Sequence, residues 1–256
     1  MWDPAQYLQF GDERSRPFFD LTARIAAAAP GLVTDLGCGP GQLTAALADR
    51  WPQARVCGLD SDPAMIDAAR ARAVPGRLGF AQGDLRDWQP DRPVDVIVSN
   101  AVLQWVPGHD DLVTRWAQAL AAAGWLAFQL PGNFDQPGHV LLRDLAGSGR
   151  WRDRLAGAQL NRQAGDPAHY ADLLLGHGCR VDAWETTYLH VLPGPDPVLE
   201  WYKGTALRPV LAALEPAEAA QFVAQYADLL AAAYPPAPYG TILPFRRVFV
   251  VAQKDG

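Results

Sequence analysis

Three closely spaced glycines, Gly37, Gly39 and Gly41, follow a short apolar segment that ends at Asp35 and Leu36. A strand that leads into such a loop and then into a helix brings main-chain atoms close to a nucleotide-like ligand, because glycine lacks the β-carbon that would collide there. The dinucleotide fingerprint is Gly-x-Gly-x-x-Gly/Ala, in which the helix N-terminus faces a pyrophosphate. Here the third glycine falls one position early, and Gln42 occupies the place reserved for Gly or Ala. This spacing disfavours a nicotinamide cofactor and favours a nucleoside without a pyrophosphate, which predicts S-adenosylmethionine.

Two aspartates follow later apolar segments at comparable places. Asp60 comes 23 residues after Gly37 at the end of the second segment, where a carboxylate can accept both ribose hydroxyl hydrogens. Asp84 follows the third segment in Gln82-Gly83-Asp84-Leu85, where it can accept from an adenine amino group. Either aspartate alone is equally well explained as a helix cap or turn residue. The glycine loop and both acids together predict a nucleoside site.

The elements that would position these residues alternate between strands and helices from about residue 32 to 131. Strands are predicted at 32–36, 55–59, 78–81, 94–99 and 125–130, and helices at 42–51, 63–73 and 110–122, with Ser61 or Asp62 as the cap of the second helix. This alternation predicts an α/β fold with a mostly parallel sheet and helices on both faces. Right-handed connections then place the glycine loop at the carboxyl edge of the sheet.

The second half of the chain is less regular. We predict a helix plus a covering loop at 131–168, a short helix at 170–177 ended by Gly178, a long strand at 180–192, two or three helices at 197–234 and a last strand at 247–253. Pro17 predicts a helix start, which would fold residues 1–30 across the site as a helical lid. We expect one domain over 1–256, with a cofactor-binding core at 31–131 and a helical insert at 195–240.

With these elements in place, the chain resembles the class I methyltransferases. The resemblance implies a three-layer, Rossmann-like sheet of seven strands whose last strand is antiparallel, with the helical insert covering the site. It implies that Asp35 and the backbone of residues 37–41 hold the amino-acid end of S-adenosylmethionine, that Asp60 holds the ribose and that Asp84 holds the adenine. Ser99 and Asn100 would face the methyl group. The full candidate set for the cofactor is Arg14, Asp35, Gly37, Cys38, Gly39, Gly41, Asp60, Ser61, Met65, Asp84, Leu85, Ser99, Asn100 and Gln104.

Cys38 is interpreted as a small filler of the loop and not as a nucleophile, because the sequence around it holds nothing that would lower its pKa. Methyl transfer from a sulfonium is an in-line displacement, for which the enzyme mainly aligns the reactants at roughly 3–3.5 Å. A carboxylate acceptor is ionised at pH 7 and needs no base, whereas a phenol or alcohol needs one, most often a histidine. The five histidines, at 109, 139, 169, 177 and 190, show no pairing with an acid that marks a base. We therefore predict no catalytic side chain and no metal.

A narrower resemblance, to the trans-aconitate 2-methyltransferase family, covers nearly the whole chain and is weakest between 140 and 168. It is carried by Trp2-Asp3-Pro4-x-x-Tyr7-Leu8-x-Phe10, Arg14-Ser15-Arg16-Pro17, Asn100-Ala101-x-Leu103-Gln104-Trp105-Val106-Pro107, Pro131-Gly132-Asn133-Phe134, Trp184-Glu185-Thr186-Thr187-Tyr188, Ala206-Leu207-Arg208-Pro209 and Pro244-Phe245-Arg246-Arg247. That family esterifies one carboxylate of trans-aconitate, so the resemblance implies a pocket for a polycarboxylate.

Arginine forks and hydroxyl or amide donors suit such an acceptor. The candidates are Tyr7, Arg14, Trp105, Asn133, Tyr188, Arg208, Tyr239 and Arg246, of which Arg14 is also a candidate for the carboxylate of the cofactor. Alternative interpretations stay open, since Tyr7 and Trp105 are equally well explained as core or lid aromatics. The two arginines Arg208 and Arg246 are equally well explained as members of surface ion pairs.

Composition narrows the class of protein. A net charge of −6 disfavours a nucleic-acid partner, and three scattered cysteines support neither a disulfide framework nor a zinc site. We see no secretory signal and no apolar run of the roughly 18 residues that a membrane helix needs. We expect a cytoplasmic enzyme for a small molecule, without a membrane or an obligate protein partner. Two alternatives remain: a methyltransferase for another small acid, a carrier-bound acyl ester or a phenol, and a nucleotide-binding module without turnover.

Overall fold

The computed structural model describes residues 11–158, 160 and 164–256, with side chains described from residue 15 onward. Tyr7 and the side chain of Arg14, two of the predicted ligand-binding groups, therefore lie outside the described part. The described chain divides into two compact units. The first comprises residues up to 130, 165–186 and 247–256, and the second comprises 131–164 and 187–246.

The helices and strands alternate through the first half, as the sequence predicts. In chain order they are α1 (Gly11–Thr22), β1 (Leu32–Leu36), α2 (Gln42–Arg50), β2 (Arg55–Asp60), α3 (Pro63–Arg70), β3 (Leu78–Gln82), β4 (Val94–Asn100), a 3-10 turn (Leu103–Trp105), α4 (Asp110–Gln118), β5 (Leu120–Pro131), α5 (Pro137–Ala146), α6 (Trp151–Arg154), α7 (Pro167–Leu175), β6 (Cys179–Leu192), α8 (Pro197–Lys203), α9 (Arg208–Ala213), α10 (Pro216–Ala233) and β7 (Thr241–Lys254).

The strands form one seven-stranded sheet in the order β3-β2-β1-β4-β5-β7-β6. Neighbours among β1 to β5 pair in parallel, and the last strand is antiparallel, as the resemblance implies. Strands β1 and β4 lie at the centre and are buried along nearly their whole length, because helices cover both faces of a parallel sheet. Strand β6 lies at one edge, and its residues alternate between buried and exposed over its last third. The carboxyl ends of β1, β2 and β4 thus meet at one edge of the sheet.

The core of the first unit is apolar and continuous with the central strands. Its fully buried members include Val33, Val96, Ile97, Phe128 and Trp116. Helix α2 packs on β2, helix α3 packs on β2 and β3, and α4 packs against α7. Asp62 caps α3 by accepting from the backbone N–H of Ala64 at 2.9 Å, which settles the choice between Ser61 and Asp62. These contacts hold the carboxyl ends of the strands in fixed positions.

The second unit is mostly helical and is built around α10. Phe222, Tyr226 and Leu230 are buried at four-residue spacing, so they form one face of that helix. The Tyr226 hydroxyl donates to the Gly138 carbonyl at 2.8 Å, and the Tyr234 hydroxyl accepts from the Gly138 N–H at 3.0 Å. These bonds tie α10 and the residue that follows it to the first turn of α5. In the described part of the chain, every helix is too short or too polar to cross a membrane.

Several predicted boundaries are wrong. Helix α4 ends at Gln118 instead of 122, and β5 begins at Leu120 instead of 125, because Leu120 pairs with Val94 of β4 despite the high helix propensity of its alanine neighbours. Pro17 lies inside α1 and does not start a helix. The predicted helix at 170–177 spans 167–175 with Pro167 in its first turn, and Gly178 follows its end by three residues. The last strand begins at Thr241 instead of 247. In the described part of segment 131–168, two helices, α5 and α6, precede α7, where one was predicted.

Candidate active site

The glycine loop is hydrogen-bonded to the end of the neighbouring strand. The backbone N–H groups of Gly37 and Cys38 both donate to the carbonyl of Leu59 in β2, at 2.8 and 3.0 Å. Gly37 has a φ of +84°, and a β-carbon there would lie 2.1 Å from Cγ2 of Val102. The turn therefore requires glycine both for its backbone conformation and for the close approach of Val102.

Gly39 and Gly41 differ in what would surround a β-carbon at each position. Both have positive φ, +54° and +82°. A β-carbon on Gly39 would meet no atom within 4 Å, whereas one on Gly41 would lie 2.8 Å from the ring of Phe80 and 2.9 Å from Cβ of Ala69. Gly39 borders open space at the carboxyl edge of the sheet, and Gly41 is required by packing under the first turn of α2.

Asp35 is a buried carboxylate at the end of β1. Its Oδ2 accepts from the hydroxyl of Thr44 in α2 at 2.6 Å, and the residue is 2% exposed. Burial is the largest effect on Asp35, the Thr44 hydrogen bond opposes it, and the charge of Asp60 reinforces it, so that together they raise the pKa of Asp35 to about 7. The group thus changes its charge near neutral pH.

The raised pKa predicts a pH-dependent stability that Asp35→Asn removes. The folded protein holds a proton on Asp35 up to about pH 7, while the unfolded chain releases it near 3.8. The stability contributed by this proton is therefore lost as the pH rises from about 4 through 7. Asparagine keeps an acceptor for Thr44 and cannot ionise. We expect the ligand-free variant to melt roughly 5–10 °C above the wild type at pH 8 and close to it at pH 4.5.

Thermal melts at both pH values check this, with Asp91→Asn, which removes an exposed carboxylate, as the control. An Asp35→Asn variant that melts at or below the wild type at pH 8 would show that burial does not penalise this charge.

Asp60 joins the glycine loop to the start of α3. Its Oδ2 accepts from the Gly39 N–H at 2.9 Å, and its Oδ1 accepts from the Asp62 N–H at 2.9 Å. A carboxylate oxygen can accept more than one hydrogen bond, so both oxygens retain capacity for a ligand. Ser61, the next residue, is exposed, and Met65 is buried in the first turns of α3.

Asp84 lies beyond the end of β3 and is already paired. The guanidinium of Arg86 donates to both of its carboxylate oxygens, with Nε at 3.0 Å from each. These hydrogen bonds lower the pKa of Asp84. Nothing in the sequence marks this pair, which occupies part of the acceptor capacity expected to serve an adenine amino group. Leu85 between them is half-buried.

The end of β4 carries two polar side chains with defined contacts. Ser99 is buried, and its hydroxyl donates to the Leu36 carbonyl at 2.8 Å, so it ties β4 to the start of the glycine loop. Asn100 Oδ1 accepts from Gln129 Nε2 at 2.6 Å.

In the turn after β4, Ala101 has a φ of +57°, a conformation that non-glycine residues rarely adopt. Gln104 Nε2 donates to the Ala101 carbonyl at 2.6 Å, while its Oε1 is buried without a hydrogen-bond partner in the described structure.

The interpretation of Cys38 as a filler is consistent with its surroundings. Its side chain occupies the space where a β-carbon on Gly58 would lie, 2.9 Å from Sγ. Burial and the charges of Asp35 and Asp60 raise the pKa of the Cys38 thiol, so the reactive thiolate is disfavoured.

One expectation about the histidines needs correction. His169 Nε2 lies 2.9 Å from Oδ2 of Asp110, although nothing in the sequence marks that pair. Both side chains are about half exposed, which is typical of a surface contact. His109 is buried and bonds the Tyr170 hydroxyl at 2.8 Å, a structural role within the core.

Five of the predicted acceptor ligands belong to the second unit. Asn133 is 1% exposed, and neither polar atom of its amide has a hydrogen-bond partner in the described structure. Arg246 Nη1 donates at 3.0 Å to the carbonyl of Gly132, and its own carbonyl accepts from the Gly132 N–H at 2.9 Å. The structure thus brings Arg246 next to the segment that carries Asn133.

The other three lie in different surroundings. Tyr188 is buried and stacks on the ring of His190 with 6.1 Å between centroids, and Arg208 is the first residue of α9. Tyr239 is 67% exposed and lines a half-open cavity of about 450 Å³. Among the described residues that line this cavity, none of the other four predicted acceptor ligands occurs. In the first unit, Trp105 is 37% exposed on the 3-10 turn after β4.

Some residues that shape the site were missed. Gly58 has Phe80 and Cys38 where its β-carbon would lie, and Thr44 and Arg86 engage the predicted acids. A glycine inside an apolar strand is a sequence signal of close backbone approach and could have identified Gly58. Thr44 and Arg86 carried no such signal.

The parallel sheet, its glycine loop and the acids at its carboxyl edge define a class I methyltransferase fold. A methyltransferase domain model matches residues 33–124. The trans-aconitate 2-methyltransferase of Streptomyces avermitilis is 54% identical over 99% of this chain and 97% of that protein. The enzyme of the same name from Rhodococcus jostii is 52% identical over 99% of each chain. The chain belongs to the trans-aconitate 2-methyltransferase family and is a methyltransferase.

Solved structures of low sequence identity share the fold. Phosphoethanolamine N-methyltransferase 2 of Haemonchus contortus, in complex with S-adenosyl-L-methionine, superposes with a TM-score of 0.57 at 17% identity. The superposition covers 94% of this chain and 53% of that one.

Proposed function

We propose that this methyltransferase transfers the methyl group of S-adenosylmethionine to a carboxylate oxygen of trans-aconitate. The observation that carries the proposal is the 54% identity to a trans-aconitate 2-methyltransferase over 99% of the chain. Because the sequence identity extends over both halves of the chain, the matched region includes the glycine loop and the candidate acceptor residues. The cytoplasmic location, the helical lid and the lack of a protein partner expected from the sequence remain predictions.

The residues present fit S-adenosylmethionine. The open space beside Gly39 is the place that a β-carbon would fill, and an unpartnered acceptor, Gln104 Oε1, is buried near the end of β4. S-adenosylmethionine carries an ammonium group and a sulfonium. Asp60 lies beside the loop as a carboxylate, and Asp35 adds a second negative charge when it is ionised above about pH 7. A buried acceptor without a donor is unfavourable in the protein alone, so a ligand N–H would relieve that cost.

When bound, S-adenosylmethionine supplies an electrophilic methyl group on a positively charged sulfur. The protein contributes position: Asp60 orients the loop through Gly39, and Ser99 fixes the end of β1 relative to β4. No side chain has to remove a proton from an ionised carboxylate acceptor. Rate enhancement of this kind comes from alignment and exclusion of water.

For the acceptor, the second unit offers an amide and a guanidinium on neighbouring segments. Asn133 has two donors and two acceptor lone pairs that the described protein leaves unused. Arg246 supplies positive charge on the segment bonded to Gly132. We propose that both bind carboxylates of the acceptor.

Turnover with labelled S-adenosylmethionine tests the function. The acceptors to compare are trans-aconitate, cis-aconitate, citrate, isocitrate and a simple phenol. Labelling of trans-aconitate well above the others supports the proposal. Preferred labelling of another acid or of the phenol would overturn the acceptor assignment while leaving the protein a methyltransferase.

Asn133→Leu should separate binding from folding. Leucine has a similar volume and no polar atom, so it removes the cost of burying an unsatisfied amide. We expect the melting temperature to rise by roughly 2–6 °C and the KM for trans-aconitate to rise about tenfold or more, with the Kd of S-adenosylhomocysteine unchanged. A lower melting temperature together with an unchanged KM would show that Asn133 is a structural residue only.

A further inference from the structure

Three polar side chains, two of them buried, form a chain of hydrogen bonds across neighbouring strands of the first unit. Arg247 in β7 donates from Nη1 to Gln129 Oε1 in β5 at 3.1 Å. Gln129 donates from Nε2 to Asn100 Oδ1 in β4 at 2.6 Å. Arg247 is 4% exposed and Gln129 is 1% exposed. Asn100 and Gln129 are paired residues of parallel strands, so their side chains leave the sheet on the same face.

Arg247 sets which group donates and which accepts in each of these hydrogen bonds. A guanidinium has five N–H donors and no acceptor, so the amide of Gln129 must turn its oxygen toward Arg247. Its NH2 group then points at Asn100, which must meet it with its own oxygen. The Asn100 oxygen is thereby used, and the Asn100 NH2 group remains for any other partner.

Asn100 lies beside the glycine loop, and its NH2 group is available to a ligand there. In the β1–β4 pairing, Asp35 is opposite Val98, so continuing the register places Asn100 beside Gly37, the first glycine of the loop. Nδ2 of Asn100 makes no hydrogen bond in the described structure and is not among its fully buried polar atoms. An NH2 group at this place offers donors only, which suit a carboxylate oxygen.

We propose that Arg247 is a positioning residue that acts through Gln129 and makes Asn100 present hydrogen-bond donors, and no acceptor, to a carboxylate of the bound ligands. The proposal rests on the proposed function for the identity of those ligands. Two carboxylates could be the partner, that of the methyl acceptor and that of the amino-acid end of S-adenosylmethionine. Burial of a cation is costly, and a donor-only group at this position gives the hydrogen-bond chain a single direction.

Gln129→Glu reverses the polarity with an isosteric change. Glutamate accepts from Arg247 and forms an ion pair with it, so its second oxygen can only accept from Asn100. The Asn100 amide must then turn its NH2 group inward and present its oxygen to the ligand. Gln129→Met is the matched control, because it removes the chain and leaves Asn100 able to adopt either orientation.

Calorimetry measures the binding of the two carboxylate ligands, S-adenosylhomocysteine and trans-aconitate, separately. The Kd of S-adenosylhomocysteine is measured alone, and the Kd of trans-aconitate is measured on the protein saturated with S-adenosylhomocysteine. We expect Gln129→Glu to raise one of the two Kd values by about 10- to 100-fold, the loss of a hydrogen bond to a charged group. Gln129→Met should raise the same Kd only about threefold or less, since a freely turning amide presents its donors about half the time.

If Gln129 only stabilises the fold, Gln129→Met should raise the Kd more than Gln129→Glu, because glutamate keeps a bond to Arg247 and methionine does not. The proposal is overturned if methionine is as damaging as glutamate, or if neither Kd changes in Gln129→Glu. A rise for trans-aconitate assigns the donors to the acceptor, and a rise for S-adenosylhomocysteine assigns them to the cofactor. Repetition at high salt separates the turned amide from simple charge repulsion, which salt weakens.

If Gln129→Glu loses its fold by circular dichroism, nuclear magnetic resonance of the wild-type protein decides. The side-chain NH2 signal of Asn100, assigned by its loss in Asn100→Asp, should shift downfield when one of the two carboxylate ligands is added. An unchanged signal with both ligands overturns the proposal. Failure of the turnover assay with trans-aconitate would count against the proposed function alone, since the S-adenosylhomocysteine titration needs no acceptor.

Discussion

Gly39→Val is expected to keep the fold and to lose at least about 100-fold in affinity for S-adenosylhomocysteine. A β-carbon at Gly39 meets nothing within 4 Å, so an added side chain begins in open space, which is the space proposed for the ligand. The φ of +54° adds a cost of about 1–2 kcal/mol for a side-chain-bearing residue, which a domain of this size tolerates. Calorimetry measures the Kd, and a thermal melt measures the loss of stability.

Gly76→Val is the matched control for this substitution. Gly76 has a φ of +75° with no atom within 4 Å of its would-be β-carbon, and it lies in the exposed turn before β3, away from the carboxyl ends of the strands. It should lose similar stability and bind like the wild type. Wild-type affinity in Gly39→Val, or an equal loss in Gly76→Val, would contradict the proposed position of the ligand.

Gly41→Ala is expected to damage the fold itself. The added methyl group would lie 2.8 Å from the Phe80 ring and 2.9 Å from Cβ of Ala69, at a φ of +82°. Overpacking of about 1–3 kcal/mol and a backbone cost of about 1–2 kcal/mol add to a destabilisation of about 2–5 kcal/mol. At about 2–4 °C per kcal/mol, a thermal melt should show a drop of roughly 4–20 °C.

The control here is Gly79→Ala, at a glycine of β3 with open space around its would-be β-carbon and ordinary φ. We expect it to melt close to the wild type. A Gly41→Ala variant that melts within about 2 °C of Gly79→Ala would mean that Phe80 and α3 move aside at little cost. The contrast between Gly39 and Gly41 would then lose its basis.

Local sequence was sufficient for much of the first unit. The first four strands and the helices α2 and α3 lie within a few residues of their predicted positions, because a strand buried on both faces is a short apolar run and each amphipathic helix repeats with its own period. The glycine loop was equally visible, and the cap of α3 was narrowed to Ser61 or Asp62, of which the structure selects Asp62. These features depend on residues close together in the chain, and for that reason a pattern can predict them.

Tertiary pairing decided the rest. The alanine-rich segment after Gln118 favours a helix by itself, yet it joins β5 because Leu120 pairs with Val94. Thr44 opposite Asp35, Arg86 on Asp84 and the open space at Gly39 depend on how helices and strands meet.

The hydrogen bonds that join Arg247, Gln129 and Asn100 show most clearly what the tertiary structure decided. Gln129 and Arg247 are 118 residues apart in the chain, and only the order of β4, β5 and β7 in the sheet makes them neighbours. The sequence by itself determined the class of enzyme and the residues that shape its loop, because the loop's backbone and its glycines are local properties. Which polar atoms are satisfied, buried or left for a ligand was decided by the tertiary structure alone, because hydrogen-bond partners are set by distance in space and not along the chain.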